Sequence, residues 1–93
     1  MFKTNEYFGG KVKSLAFKTK DCSATVGVMA QGEYEFGTTS KEFLTVTSGK
    51  LTVKMPGDDA WKSYGPNETM IIEPNIKFKV VSEGDSSYIC LYK

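Results

Sequence analysis

The sequence predicts an all-β protein, a compact antiparallel barrel or double-sheet jelly roll that forms one domain over residues 1–93. Three observations favour this fold class. Apolar and polar residues alternate with a period of two in short segments, turn-forming stretches separate these segments, and no segment has the apolar stripe of an amphipathic helix. Short strands at this spacing fit a closed or double-sheet arrangement better than an open sheet with exposed edges.

The alternating segments predict seven to nine short strands. They cover residues 11–17, 26–30, 33–36, 44–46, 51–55, 69–73, 77–81 and 87–92. The stretches PGDD, YGPNE and SEGDSS have the residues of turns. We expect the segments at 44–46 and 51–55 to form a hairpin whose turn is the pair Ser48-Gly49.

Composition and charge narrow the functional classes. The chain has 12 basic residues, all lysines, and 11 acidic ones, with no long run of like charge, so we do not expect nucleic acid as a partner. There is no signal-like apolar region and no segment long enough to span a bilayer, which predicts a cytoplasmic protein without a membrane partner. Cys22 and Cys90 are expected to be free thiols, and Cys90 should be buried between Tyr88 and Tyr92 on one strand face.

Glu42 is followed after six further residues by Gly49. This Glu-x6-Gly spacing resembles the second half of the first cupin motif. In cupins two histidines precede that glutamate and a third belongs to the second motif, but this chain has no histidine, and the comparison places Phe36, Thr38 and Phe78 at those positions. A divalent transition metal needs several N, S or O donors at about 2.0–2.3 Å. The sequence therefore predicts a cupin without a metal cofactor.

The same positions predict a pocket at the mouth of the barrel. The side chains expected to line it are Tyr34, Phe36, Phe78 and Tyr88, with Thr38 and Glu42 as polar groups. Such a lining is typical of a site for a flat organic ligand such as a nucleobase. The alternative is that the aromatic rings only fill the core of a small barrel. Glu42 favours the binding site, because an inward-facing carboxylate is costly unless it is paired or functional.

Four other residues have weaker signals. Lys11 and Lys13 follow a Gly-Gly pair and could present ammonium groups to an anion, although a solvated strand face is the better explanation for two alternating lysines. Glu33 is expected on the outer face of its strand, because it alternates with the inward Tyr34. It would reach a substrate hydroxyl only at the rim of the barrel. Trp61, in the turn-rich stretch DDAWKSYG, is expected to be exposed, covering the barrel end or forming a subunit contact.

Several segments together are similar to one family. NEYFGGKVKSLAF at 5–17, VGVMAQGEYEF at 26–36, TVTSG before residue 50, the lone Trp61 and SYICLY at 87–92 resemble the pyrimidine/purine nucleoside phosphorylases, small bacterial cupins. The resemblance implies phosphorolysis of nucleosides to the free base and ribose 1-phosphate, with nucleosides and inorganic phosphate as partners. Analogy with small cupins implies a homodimer.

Roles for the residues follow from strand parity and the cupin comparison. Phosphate attacks C1′ while the N-glycosidic bond breaks, and the positive charge that develops on the sugar favours a nearby carboxylate, which we expect to be Glu42. The remaining assignments are Phe36 and Phe78 beside the base, Tyr34 and Tyr88 in the pocket wall, Thr38 and Glu33 at ribose hydroxyls, and Lys11 or Lys13 at phosphate. Two alternatives stay open. One is a non-catalytic cupin that binds a small sugar or nucleoside, and the other is a structural barrel that acts through its surface.

Overall fold

The computed structural model describes all residues, Met1–Lys93, and contains ten strands. The strands are β1 (Thr4–Tyr7), β2 (Val12–Lys18), β3 (Ser23–Met29), β4 (Gly32–Gly37), β5 (Glu42–Ser48), β6 (Leu51–Lys54), β7 (Lys62–Tyr64), β8 (Thr69–Ile72), β9 (Lys77–Ser82) and β10 (Ser86–Tyr92). A 3-10 turn at Phe8–Gly10 joins β1 to β2. No helix is long and apolar enough to cross a membrane.

The strands form two antiparallel sheets. The larger has six strands in the order β1-β2-β3-β10-β5-β8, and the smaller has four in the order β4-β9-β6-β7. Each sheet turns alternate side chains toward the other, because successive residues of a strand point to opposite faces. The predicted double-sheet, all-β architecture is therefore confirmed.

The hydrophobic core lies between the two sheets. It consists of 13 buried residues, and Val12, Val46 and Ile72 have no exposed surface. On β10, Cys90 is 1% exposed and lies on the inner face with Tyr88 and Tyr92, as the alternation predicts. Burial of this apolar set at about 25 cal/mol per Å² is the main force that holds the sheets together.

The turn at Ser48-Gly49 does not close the predicted hairpin. Strand β5 pairs with β10 and β8, whereas β6 pairs with β9 and β7, so the turn carries the chain from one sheet to the other. Gly49 has a φ of 83°, and a Cβ there would lie 2.6 Å from Ser86 Oγ and 2.8 Å from the Asp85 carbonyl oxygen. The prediction was wrong because a Ser-Gly turn specifies a change of direction but not the partner strand.

Strands β1 and β7 were not predicted. Both are short edge strands, of four and three residues, and most of their residues are exposed. They lack the alternation of buried and exposed positions by which the other strands are recognised. Strand β1 matters for the site, because its pairing with β2 brings Tyr7 and the following Phe8 to the gap between the sheets.

Candidate functional site

The space between the sheets contains a cavity of about 370 Å³. This volume is within the range of small-molecule sites. Its wall is mainly apolar and aromatic. The aromatic residues of the wall are Tyr7, Phe8, Phe36, Phe78, Tyr88 and Tyr92, and the polar ones include Ser14, Glu35 and Glu42.

Glu42 is half-buried at the start of β5, between its register partners Tyr92 on β10 and Ile72 on β8. The Cys90 thiol donates to its Oε1 at 3.5 Å, and none of the three salt bridges of the chain involves it. Burial raises the pKa of Glu42, and the bond from the thiol lowers it in part. The cavity thus contains a carboxyl group without a cationic partner.

Three ionisable groups on β10, those of Tyr88, Cys90 and Tyr92, lie close enough to this carboxyl group to be affected by its charge. Burial raises the pKa of Tyr88 to about 12 and that of the Cys90 thiol to about 12, and it also raises the pKa of Tyr92. The Tyr92 hydroxyl forms a 2.8 Å hydrogen bond with that of Thr25. At neutral pH these three side chains are uncharged, so Glu42 is the group among the four that can carry a charge.

The ring of Tyr88 lies directly over Gly27 of β3. A Cβ on Gly27 would be 2.6 Å from both Cζ and the hydroxyl oxygen of Tyr88. The Tyr88 hydroxyl forms no hydrogen bond within the chain, and no fully buried polar atom lacks a partner, so this hydroxyl is accessible from the cavity. Ser14, the β2 partner of Gly27, also lines the cavity and accepts a 3.4 Å hydrogen bond from Asn5 Nδ2. The wall here offers two neutral hydroxyl donors.

The structure brings four of the predicted residues together at the cavity, namely Phe36, Phe78, Glu42 and Tyr88. The rings of Phe36 and Phe78 are cross-strand partners on β4 and β9, with centroids 6.0 Å apart and planes tilted by 34°. Phe78 is 4% exposed, whereas Phe36 is only partly buried. These two rings form the apolar wall that the sequence predicts.

Tyr34 and Thr38 point inward, as their parity predicts, but do not line the cavity. The Tyr34 hydroxyl donates to the Ala30 carbonyl oxygen at 2.6 Å. The Thr38 hydroxyl donates to the Glu73 carbonyl oxygen at 2.7 Å and accepts from the Ile76 N–H at 3.2 Å. Both hydroxyls are thus used to hold loops that enter and leave the smaller sheet.

Glu33, Lys11 and Lys13 lie outside the cavity. Glu33 is exposed on the outer face of β4. Lys11 and Lys13 line a separate depression of about 440 Å³, and Lys13 Nζ is 3.3 Å from Glu6 Oε1. A phosphate held by these lysines would therefore not share the cavity with Glu42.

Several residues in and beside the cavity wall were missed from the sequence. Among them, Tyr7 and Phe8 belong to the N-terminal edge strand and turn, and Ser14 has a side chain too small to suggest a binding wall. Gly27 does not line the cavity but lies under the ring of Tyr88. The signals that could have found them are the aromatic pair directly before Gly-Gly and a glycine at an inward position of a strand, which marks a close approach.

The cupin metal positions do not provide a metal site here. They are occupied by Phe36, Thr38 and Phe78 beside Glu42, and the Thr38 hydroxyl is committed to the backbone. No group of three or more His, Cys, Asp or Glu side chains comes together anywhere in the structure. This donor set does not fit a divalent transition metal.

The two sheets and the cavity between them define a cupin-type barrel. An RmlC-like cupin from Shewanella frigidimarina superposes with a TM-score of 0.76 at 17% identity, covering 98% of this chain and 82% of that one, a likeness of fold alone. A protein of unknown function from Vibrio parahaemolyticus superposes with a TM-score of 0.96 at 40% identity, over 100% of this chain and 99% of that one.

Within this class, the chain belongs to the pyrimidine/purine nucleoside phosphorylase family, which it matches over residues 2–92. The pyrimidine/purine nucleoside phosphorylase of Cellvibrio japonicus is 54% identical over 93 residues, the full length of both chains. That of Alcanivorax borkumensis is 54% identical over 92 residues, 99% of this chain and 98% of its own. The resemblance expected from the sequence is confirmed.

Proposed function

We propose that this protein, acting as one domain, is a nucleoside phosphorylase that converts purine and pyrimidine nucleosides and inorganic phosphate into free base and ribose 1-phosphate. Membership of the family supports the reaction class. The observation in the structure that carries the proposal is Glu42, a carboxyl group without a cationic partner in a cavity with aromatic walls. The reaction uses no metal, in keeping with a donor set that does not fit one.

In the proposed reaction an oxygen of phosphate forms a bond to C1′ while the N-glycosidic bond breaks. The electron pair of that bond passes to the nitrogen of the base, which then takes up the proton that hydrogen phosphate loses as it becomes the phosphate ester. Positive charge develops on C1′ and the ring oxygen, and the ionised Glu42 stabilises it. The apolar surroundings strengthen this interaction, because the effective dielectric constant is lower than in water.

The apolar wall of Phe36 and Phe78 supplies the surface against which the base packs. Few hydrogen-bonding groups face that wall. The wall therefore selects neither one size of base nor one pattern of hydrogen bonds. This arrangement supports activity on both purine and pyrimidine nucleosides.

For the oxygen atoms of ribose and phosphate we propose the hydroxyls of Tyr88 and Ser14 as donors. Tyr88 is protonated at neutral pH, and burial raises its pKa further, to about 12. No lysine lines the cavity, so phosphate bound there relies on neutral donors, which form weaker bonds to an anion than charged ones. The placement of Lys11 and Lys13 in a separate depression lends no support to their role in holding phosphate.

Incubation of the purified protein with inosine or uridine, with and without inorganic phosphate, tests the proposed function. We expect free base and ribose 1-phosphate in equal amounts, only when phosphate is present, as measured by chromatography. Binding of the nucleosides without turnover would instead support a non-catalytic cupin. No binding and no turnover would leave a structural barrel.

We also propose that the protein acts in the cytoplasm, where nucleosides and phosphate are both available, and as a homodimer. The outer face of the larger sheet has a row of apolar side chains across three strands, Leu15, Val26 and Ile89, with Val28 beside it. Leu15, Val26 and Val28 are 40%, 43% and 54% exposed. The charges beside this patch are Lys13, the β2 partner of Val28, and Glu6, whose carboxylate is 3.3 Å from Lys13 Nζ, so two copies that meet there bring together a neutralised pair and not a single charge.

Replacing Val28 by lysine is expected to convert the dimer to a monomer, because burial of the patch would then bury an unpaired charge. Light scattering after size-exclusion chromatography measures the mass directly. Trp61→Ala is the control, since Trp61 is 41% exposed in the Lys54–Lys62 region outside the patch and should not alter the mass. If Trp61→Ala were monomeric instead, the dimer interface would be formed by the loop that contains Trp61 and not by the patch.

A further inference from the structure

Phe8 has a backbone conformation that residues other than glycine rarely adopt. Its φ is 54°, and Gly9 and Gly10 follow with φ of 68° and 89°, so three successive residues are left-handed. Glycine would occupy the first of these positions at lower free energy. The free-energy cost of a bulky aromatic residue in this strained turn indicates that its side chain has a role. Backbone strain of this kind is concentrated at functional sites.

The ring of Phe8 extends the aromatic wall of the cavity. Its centroid is 4.9 Å from that of Tyr34 and 5.5 Å from that of Phe36, which it meets edge to face at 88°. These two rings support Phe8 from one side. Phe8 itself is 46% exposed and lines the cavity, whereas the core aromatics Tyr34 and Phe78 are each 4% exposed. The ring is thus fixed in position with much of its surface open.

We infer that Phe8 packs against the nucleobase of the substrate, and that the left-handed turn Phe8–Gly10 holds its ring at the cavity for this purpose. This inference rests on the proposed function and adds the residue that binds the base. A supported, half-exposed ring at the edge of an apolar cavity is a stacking surface for a flat heterocycle. Base–aromatic stacking needs no particular base, in agreement with a site that accepts both purines and pyrimidines.

The size of the base should matter at this ring. A purine has two fused rings and covers more of the Phe8 surface than a pyrimidine does. Loss of the ring should therefore weaken the binding of purine nucleosides more than the binding of pyrimidine nucleosides. A residue that merely closed the side of the barrel would affect both classes equally.

Phe8→Gly removes the ring and at the same time relieves the backbone strain. We expect kcat/KM to fall roughly 5- to 100-fold, and the Kd for nucleoside without phosphate to rise in the same range, as loss of one stacked aromatic predicts. The loss should be larger for inosine than for uridine, while Phe8→Tyr should stay within about twofold of the wild type because it keeps the ring. Phe2→Gly is the matched control, since Phe2 is 61% exposed in the same N-terminal segment and does not line the cavity.

The outcomes separate this inference from the proposed function. A wild-type protein that binds nucleosides without turnover contradicts the proposed function, and the Kd of Phe8→Gly then still tests the inference. If Phe8→Gly bound both nucleosides with the affinity of the wild type, the inference about Phe8 would be overturned. An equal loss in Phe2→Gly, or a wild-type protein that binds no nucleoside at all, would also overturn it.

Discussion

Replacing Glu42 by glutamine is expected to lower kcat/KM for nucleoside phosphorolysis by roughly two to three orders of magnitude, the usual cost of removing one group that stabilises transition-state charge. Glutamine has the same shape as glutamate but no negative charge. The neighbouring donors Tyr88, Cys90 and Tyr92 are uncharged at neutral pH and cannot replace it. Steady-state kinetics with inosine and with uridine at saturating phosphate measure the change.

Glu33→Gln provides the control for this experiment. Glu33 is exposed on the outer face of β4 and does not line the cavity. We expect this variant to keep nearly the full activity. Equal losses in both variants would mean that the net charge of the protein, rather than the Glu42 carboxylate, supports the reaction.

The pH dependence has opposite signs for activity and for stability. Because burial raises the pKa of Glu42 above its ordinary value of 4.5, activity should fall with decreasing pH through that raised pKa as the carboxylate takes up a proton. The stability linked to this group is fully present below pH 4.5 and is lost as the pH rises through the raised pKa. Glu42→Gln should thus unfold at an equal or higher temperature than the wild type at pH 7, and this advantage should disappear in acid.

An inactive Glu42→Gln protein that is also less stable at pH 7 would contradict this account. It would indicate that the carboxylate holds the fold together rather than serving the reaction. Thermal unfolding of both proteins between pH 4 and pH 8, followed by circular dichroism, decides between the two. Buried groups that serve chemistry are expected to cost stability, because the unfolded chain solvates them better.

Much of the fold could be predicted from the sequence because most strands alternate between apolar inner and polar outer residues, although in β3 the apolar Val26 and Val28 face outward. This pattern placed Phe36, Phe78, Glu42 and Tyr88 on inward faces without any knowledge of the sheets. The alternation defines the face of the strand to which a side chain points, but it does not define which other strand pairs with that strand. The assignment of β5 and β6 to different sheets depends on the pairing of both with strands far away in the chain, which local alternation does not encode.

The same limit explains what was missed in the site. The hydroxyl of Thr38 points inward but meets backbone groups of Glu73 and Ile76, about 35 residues away, and no local pattern predicts such a contact. Phe8 belongs to a turn, where side-chain direction follows from left-handed dihedrals instead of strand parity. Lys13 was correctly read as part of an alternating strand, but its outward face separates it from Glu42.

Gly27→Ala is expected to disturb both the fold and the site. The new Cβ would lie 2.6 Å from the ring of Tyr88 and 2.9 Å from the Lys13 carbonyl oxygen. Overpacking of this kind costs about 1–3 kcal/mol, and each kcal/mol lowers the melting temperature of a domain of this size by roughly 4–8 °C. Tyr88 lines the cavity and must shift to relieve the contact, so kcat/KM should fall together with stability.

Gly84→Ala is the matched control for this variant. A Cβ at Gly84 has nothing within 4 Å, so its melting temperature and activity should equal those of the wild type. The double variant Gly27→Ala/Tyr88→Ala separates the two contacts of the new methyl group. Tyr88 is itself a core residue, 8% exposed, so its removal also costs stability and the double variant is compared with Tyr88→Ala. In that background Gly27→Ala should cost less stability than in the wild type, but still some, because the Lys13 carbonyl oxygen belongs to the backbone and cannot move aside, and activity should not return. Full recovery of activity would show that the Tyr88 hydroxyl is not needed by the substrate, and the ribose and phosphate contacts proposed for it would then have to be assigned to Ser14 alone.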